Sequence, residues 1–159
     1  MSHHTLSLTR TPATGMPRVT HGTVAENVGH PDSAVADQYA LGRFGEDLAA
    51  TWYAEHGYQV LNQRVRCRAG EIDAVLAAPD GTVVFLEVKT RRSNEYGGAE
   101  SVTAKKLLTM RRCAGEWLDR SPHGGYVDVR FDVCEVVFDG AGFTEYTMLR
   151  FEGVEDGAC

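Results

Sequence analysis

The sequence of 159 residues has no long apolar run and no recognisable export signal. No stretch approaches the roughly 18 to 20 apolar residues that a membrane-spanning helix needs. No compact apolar segment follows a basic start, as it does in secretory signals. These absences predict a cytoplasmic protein without a membrane partner, and the length fits one domain with a single core.

Cysteine is scarce, and no two cysteines have the CxxC spacing that is typical of zinc sites. The four are Cys67, Cys113, Cys134 and Cys159. Because thiols stay reduced in intracellular proteins, we expect free thiols rather than a zinc site or disulfides. Cys134 lies in an apolar segment, where packing is its expected role.

The formal net charge is −6, which argues against a protein that coats nucleic acid without specificity. The acidity lies mainly in residues 121–159, which hold eight acidic and two basic side chains. Basic residues cluster instead in the middle of the chain, at Arg64, Arg66, Arg68, Lys89, Arg91 and Arg92. A local basic patch can still bind phosphate, because salt screens charges beyond about 10 Å.

The chain divides into three parts by composition. Residues 1–36 are rich in Thr, Pro, His and Gly without apolar periodicity, which predicts a disordered tail. Residues 37–150 carry the helix and strand patterns of a folded domain, and residues 151–159 form an acidic tail.

The apolar periodicity predicts two helices and at least four strands. The helices are Asp37–His56, with an apolar stripe of Leu41, Phe44, Leu48 and Trp52, and Thr103–Arg120. The strands are Tyr58–Arg66, Glu71–Ala78, Thr82–Lys89 and Tyr126–Phe138, with a short one near Phe143–Leu149. This order, αβββαβ(β), predicts an α/β fold in which helices cover a central sheet.

A hairpin is predicted around the turn sequence Pro79-Asp80-Gly81. In a three-residue turn, Asp73 faces Glu87 and Glu71 faces Lys89. Since side chains alternate along strands, these four share one face. The other face, toward the core, takes Ile72, Ala74, Leu76, Leu86 and Val88.

Asp73 and Glu87 should repel each other, because opposed residues have Cβ atoms roughly 4.5–5.5 Å apart. A cation between them would remove the repulsion. Oxygen ligands without nearby Cys or His suit Mg²⁺ or Mn²⁺. Lys89 could then hold an attacking water or balance charge on a phosphate, and Glu46 on the first helix could add a further metal ligand.

A simpler interpretation stays open at this point. Glu71 and Lys89 could form a cross-strand ion pair while Asp73 and Glu87 face solvent. The run Val83-Val84-Phe85-Leu86 argues against it, because a strand that is apolar on both faces is buried.

The pattern resembles a known superfamily. Asp73 followed by Glu87-Val88-Lys89 looks like the D…ExK motif of the restriction-endonuclease-like, PD-(D/E)XK proteins. The further segments that resemble the YraN-type family are Gly42-Arg43-Phe44-Gly45-Glu46, Arg66–Asp73, Thr90-Arg91, Val102-Thr103 with Lys106, and Arg130-Phe131-Asp132-Val133. The resemblance implies a mixed central β-sheet flanked by helices, with Asp73 and Glu87 as metal ligands, Lys89 as the catalytic lysine and Glu46 as an accessory acid.

Three functions remain as expectations. The first is a Mg²⁺- or Mn²⁺-dependent endonuclease for DNA, including branched DNA, since relatives in the superfamily are Holliday-junction resolvases with an early helical Glu. The second is a nucleic-acid-binding module without catalysis, and the third an interaction protein. Arg91, Arg92 and Lys106 are the candidate phosphate contacts, although a solvated loop or helix face is the alternative for each. A homodimer is a further expectation, because nucleases of this fold often dimerise.

Overall fold

The structure is a computed structural model that describes residues 7–8, 17–24, 38–93, 103–122, 128–139 and 144–154. Two helices and seven strands lie in these ranges. The strands are β1 (Ser7–Leu8), β2 (Arg18–Thr23), β3 (Gln59–Cys67), β4 (Gly70–Ala77), β5 (Val83–Arg92), β6 (Asp128–Asp139) and β7 (Glu145–Phe151). The helices are α1 (Gln38–Glu55) and α2 (Ala104–Arg120).

All seven strands belong to one mixed sheet, in the order β2-β7-β6-β5-β4-β3, with β1 paired to β6 outside this path. β5 and β6 are parallel, whereas β3–β4, β4–β5, β6–β7 and β2–β7 are antiparallel. A parallel pair requires a crossover, and α2 supplies it between β5 and β6. This is the predicted restriction-endonuclease-like α/β fold, and the predicted αβββαβ order is confirmed.

Each face of the sheet is covered by one helix. On the α1 face, Leu41 and Phe44 pack with strand residues such as Leu76 and Leu86. On the α2 face, the buried cluster comprises Ile72, Val75, Val83, Phe85, Leu107, Met110, Cys113, Ala114, Leu118, Val129 and Phe131. The centre of the sheet is therefore buried on both faces, as the apolar run in β5 predicted.

The predicted apolar stripe of α1 is partly wrong. Leu41 and Phe44 are buried, but Trp52 is only half-buried, and Tyr53 takes the place expected for it in the core. Gly45 explains the difference, because an added Cβ there would collide with the Thr90 side chain. The helix thus turns its small residues toward β5 and approaches the sheet closely.

The predicted domain limits need correction at both ends. Arg18–Thr23 is not a disordered tail but the edge strand β2, paired with β7 from Arg18↔Arg150 to Thr23↔Glu145. Its pattern was missed because an edge strand leaves most of its side chains exposed. At the other end, Val154 is buried, and its N–H donates to the Phe131 carbonyl at 2.8 Å. Ser7–Leu8, also within the predicted N-terminal tail, is the strand β1, which pairs with β6. Residues 1–6, 9–16, 25–36 and 155–159 of the two predicted tails lie outside the described residues.

The predicted hairpin register is confirmed. Gly81 has φ of 90°, its N–H donates to the Ala78 carbonyl at 2.9 Å, and Ala78 N–H donates to the Thr82 carbonyl at 2.8 Å. The strands β4 and β5 pair from Ala77↔Val83 to Ala74↔Leu86, the register that a three-residue turn imposes. The local turn chemistry therefore sets the alignment of the candidate site.

The prediction of free thiols is wrong for two cysteines. Cys67 at the end of β3 and Cys113 on α2 form a disulfide, with Cα atoms 5.5 Å apart. That separation lies in the ordinary range for disulfides. Their sequence separation of 46 hides the pairing from any spacing rule. Cys134 is a buried free cysteine, as predicted, and Cys159 lies outside the described residues.

Neither helix in the described part of the chain is both long and apolar enough to cross a membrane.

Candidate metal centre

The site lies where β4 and β5 move apart. Their backbone pairing ends at Ala74↔Leu86, and the next residue of β4, Asp73, uses its side chain instead. The Val88 N–H donates to Asp73 Oδ2 at 2.7 Å. The carboxylate of Asp73 is therefore fixed in the gap between the two strands, beside Glu87.

The expected pairing of Glu71 with Lys89 is not found among the described strand pairs. Glu71 pairs with Arg66 of β3, and Lys89 pairs with Glu135 of β6. The pairing of β4 with β5 has already ended at Ala74↔Leu86, so Glu71 and Lys89 are not opposed across these two strands.

Asp73 and Glu87 come together as predicted. The pKa of Asp73 is raised to about 7, first because the group is buried and then because the negative charge of Glu87 is close. Burial also raises the pKa of Glu87. A hydrogen bond between the two side chains adds to the rise in the pKa of Asp73 and opposes the rise in the pKa of Glu87. Two acids held this close favour either a shared proton or a cation.

Lys106 also reaches this pair. Thr103 caps α2 by accepting a hydrogen bond from Lys106 N–H at 3.1 Å, which fixes the first turn of the helix. From that turn the Lys106 ammonium lies 3.1 Å from Glu87 Oε1. The solvated helix face considered from the sequence is thus wrong for Lys106, which lies against the acidic pair.

Glu46 approaches Asp73 from α1. The contact between Gly45 and Thr90 brings this part of the helix onto the sheet. Burial and the charge of Asp73 raise the pKa of Glu46. Its Oε2 atom lies 2.9 Å from Arg64 Nε, and the positive charge of Arg64 partly offsets this rise. Asp73 therefore has an acid on either side, Glu87 on β5 and Glu46 on α1.

The basic residues of β5 divide between the two faces. By alternation from buried Phe85, Lys89 and Arg91 lie on the α2 face with Glu87, whereas Arg92 lies on the opposite face. Arg91 Nε lies 2.5 Å from Glu135 Oε1. The predicted phosphate contacts Arg91 and Arg92 thus do not form one patch, and Arg91 already balances a buried acid.

Comparison with known proteins places these residues in a family. The model of a group described as "Uncharacterised protein family UPF0102" matches residues 45–136. The chain belongs to the UPF0102 family. This is the YraN-type family whose motifs the sequence resembles, and the matched segment contains Glu46, Asp73, Glu87, Lys89 and Lys106.

Curated UPF0102 relatives match over most of their length. The UPF0102 protein of Corynebacterium efficiens is 47% identical over 122 residues, which cover 77% of this chain and 97% of the relative. The UPF0102 protein of Frankia casuarinae is 49% identical over 113 residues, or 70% and 93% of the two chains. Their names give the family and no activity, so function rests on the geometry of the site.

The donor atoms of this UPF0102 chain fit a divalent ion of the Mg²⁺ type. Glu87 Oε2 is buried and has no hydrogen-bond donor. Mg²⁺ is usually held by one or two carboxylates, and water and substrate phosphate complete its coordination. In the described ranges, no three His, Cys, Asp or Glu side chains group closely enough to hold a metal. Asp73 and Glu87 therefore fit as a two-carboxylate site, and the ligand role of Glu46 stays a prediction.

Arg64 is the residue of this site whose role the sequence did not reveal. It has φ of 52°, a left-handed conformation that is uncommon without glycine. Its guanidinium contacts Glu46, donates to Asp47 Oδ1 at 3.0 Å and donates to the Arg43 carbonyl at 3.4 Å. The sequence placed Arg64 only in a local basic cluster, together with Arg66 and Arg68. No sequence signal pointed to its contact with Glu46.

Proposed function

We propose that this protein is a metal-dependent endonuclease that hydrolyses phosphodiester bonds in DNA. The observation that carries the proposal is the buried pair of Asp73 and Glu87, whose carboxyl groups share a hydrogen bond while Glu87 Oε2 has no donor. Such a pair is unfavourable unless a proton or cation neutralises it. Lysines on the same face would suit a phosphate substrate.

In this proposal Asp73 and Glu87 would hold Mg²⁺ or Mn²⁺, and the ion would supply Lewis-acid stabilisation of charge on the phosphate and activation of water. The Val88 N–H donates to Asp73 Oδ2 and so fixes the orientation of this carboxylate. Lys89, two residues beyond Glu87 on the same face, orients the attacking water or balances charge on the phosphate oxygens. The charge of Asp73 raises the pKa of Glu46, so the two acids lie near each other, and Glu46 serves as the accessory acid.

Nucleic acid is the substrate class that this arrangement favours. The overall charge of −6 is concentrated in residues 121–159, so it opposes phosphate binding at the site only weakly at physiological salt. Branched DNA is the first substrate to test, because the helical Glu46 matches the acid found in the resolvase relatives.

The test is a metal screen against linear duplex, single-stranded and four-way-junction DNA. We expect cleavage in Mg²⁺ or Mn²⁺ that falls by about a hundredfold or more in Asp73→Asn and in Lys89→Met. Asp80→Asn is the matched control, because Asp80 lies exposed on the hairpin turn and should leave cleavage unchanged. Cleavage of no substrate, or equal cleavage by Asp73→Asn, would refute the proposal.

The oligomeric state is tested alongside cleavage, from the size of the DNA products and the mass of the protein particle. A homodimer, which we include in the proposal, predicts paired cuts in the two DNA strands and a particle of twice the monomer mass in light scattering. Single nicks made by a monomer would remove this part of the proposal and leave the chemistry standing.

A nucleic-acid-binding module without catalysis is the second candidate. The ion pair between Lys106 and Glu87 favours it, because a lysine already neutralises one of the two acids. This candidate predicts DNA binding that weakens steeply with salt, is retained in Asp73→Asn and leads to no cleavage in any metal.

A further inference from the structure

Lys106 occupies the place of a cation in the candidate site. Its ammonium lies 3.1 Å from Glu87 Oε1, and the side chains of Lys106 and Glu87 are 35% and 13% exposed. Its charge also acts on Asp73. The buried acids therefore have a positive group beside them that belongs to the protein itself.

Lys106 and Arg64, two basic residues beside the acids, are held differently. Arg64 is fixed by contacts with Glu46 and Asp47 and by donation to the Arg43 carbonyl. For Lys106 the structure shows the ion pair with Glu87 and a capped backbone N–H. A lysine side chain has a flexible stem and three rotatable donors, so it can exchange one anionic partner for another. The cap of α2 uses the backbone N–H of Lys106 and not its ammonium, so movement of the ammonium leaves the cap intact.

We propose that Lys106 is an exchangeable counter-ion that competes with a divalent metal for Glu87. When the metal is bound, the Lys106 side chain moves and its ammonium pairs with a substrate phosphate instead. This inference rests on the proposed function, because it assumes that Asp73 and Glu87 hold the metal. In the metal-free protein Lys106 neutralises Glu87. In the metal-bound protein it contributes to phosphate binding.

Mn²⁺ binding, measured by titration calorimetry without DNA, tests the competition. We expect Lys106→Met to bind Mn²⁺ about five- to tenfold more tightly than the wild type, a coupling of ordinary size between two sites. Lys106→Arg keeps the charge and should bind no more tightly than the wild type. Lys105→Met is the matched control, since Lys105 is exposed on the same helical turn and should change nothing.

DNA binding in Ca²⁺ tests the transfer to phosphate. Loss of one phosphate contact in Lys106→Met should weaken binding and reduce the slope of log affinity against log salt by about one. Lys105→Met again serves as the reference for loss of a general positive charge. Thermal unfolding of each variant shows whether the fold is retained.

The possible results separate this inference from the proposed function. Equal or weaker Mn²⁺ binding by Lys106→Met, in a protein whose wild type binds Mn²⁺ and cleaves DNA, overturns the inference alone. Mn²⁺ binding by neither protein overturns both. Tighter binding by Lys106→Met, with a lower salt slope for DNA, supports the exchange of partners.

Discussion

Arg64 of β3 and Asp73 of β4 lie between the paired residues Gln63↔Ala74 and Val65↔Ile72, but they are not themselves a pair in the ladder. Arg64 has φ of 52°, and Ile72 and Ala74 pack on opposite faces of the sheet, whereas simple alternation would place them on the same face. The expectation that Ile72 shares a face with Ala74 is therefore wrong. Asp73 leaves the ladder where its partner strand is distorted, and this places its carboxylate toward Val88 and Glu87.

Arg64→Gly and Arg64→Ala should have different effects on stability, although both remove the same ion pairs. Glycine adopts a positive φ readily, whereas alanine in this conformation is strained by about 1 kcal/mol. We expect the glycine variant to be the more stable by that amount in urea unfolding. Equal stability of the two variants would show that the left-handed backbone at Arg64 carries no strain.

The stability of the metal-free protein should depend on the proton of Asp73. Because the pKa of Asp73 is raised to about 7 in the fold, the folded state binds more protons than the unfolded state between about pH 4 and pH 7. This group therefore makes the fold less stable as the pH rises through that window. Relative to Asp73→Asn, the wild type should lose about 2 kcal/mol between pH 5 and pH 8.

The measurement is urea unfolding of both proteins in EDTA at several pH values. Addition of Mn²⁺ at pH 8 should restore stability to the wild type and not to Asp73→Asn. Parallel pH profiles for the two proteins would contradict the buried pairing of Asp73 with Glu87.

Gly45 and Gly42 lie on the same helix and should respond oppositely to alanine. A Cβ at Gly45 would collide with the Thr90 side chain, and such overpacking destabilises by about 1–3 kcal/mol. A Cβ at Gly42 meets nothing within 4 Å, so Gly42→Ala should stabilise the helix by about 0.5–1 kcal/mol. Thermal unfolding measures both, and a stable Gly45→Ala protein would show that α1 does not need its close approach to β5.

The parts of the site that were predicted correctly depend on local sequence. The turn Pro79-Asp80-Gly81 sets the register of its own hairpin, and that register brings Asp73 to Glu87. The contact of Lys106 with Glu87 depends instead on where α2 packs, which no local pattern specifies. The disulfide between Cys67 and Cys113 could not be predicted for the same reason, because it joins the end of one strand to the middle of a distant helix.

The disulfide should stabilise the oxidised protein. A cross-link between Cys67 and Cys113 closes a long loop, and loops of this kind contribute about 3–4 kcal/mol to stability. The double variant Cys67→Ser, Cys113→Ser should therefore unfold at lower urea than the wild type. In dithiothreitol the two proteins should become nearly equal, which is the internal control. Four titratable thiols in the denatured, non-reduced wild type would show that the bond is absent.

Arg91 should contribute more to stability than its half-buried position on β5 suggests. It pairs with Glu135, which is 4% exposed, and removal of one partner leaves an uncompensated buried charge. Arg91→Met should destabilise the protein by about 2–3 kcal/mol, less than a fully buried pair because the arginine is partly solvated. Adding Glu135→Gln should recover much of the loss, and Arg112→Met, at an exposed arginine on α2, should have little effect.

The double variant Arg91→Met, Glu135→Gln also tests whether Arg91 contacts phosphate. Its fold is expected to be intact although the charge of Arg91 is gone, so its affinity for DNA measures a phosphate contact by Arg91 separately from the structural role of this residue. We expect that affinity to change little, because Glu135 already neutralises Arg91, and a large loss would instead support the phosphate contact.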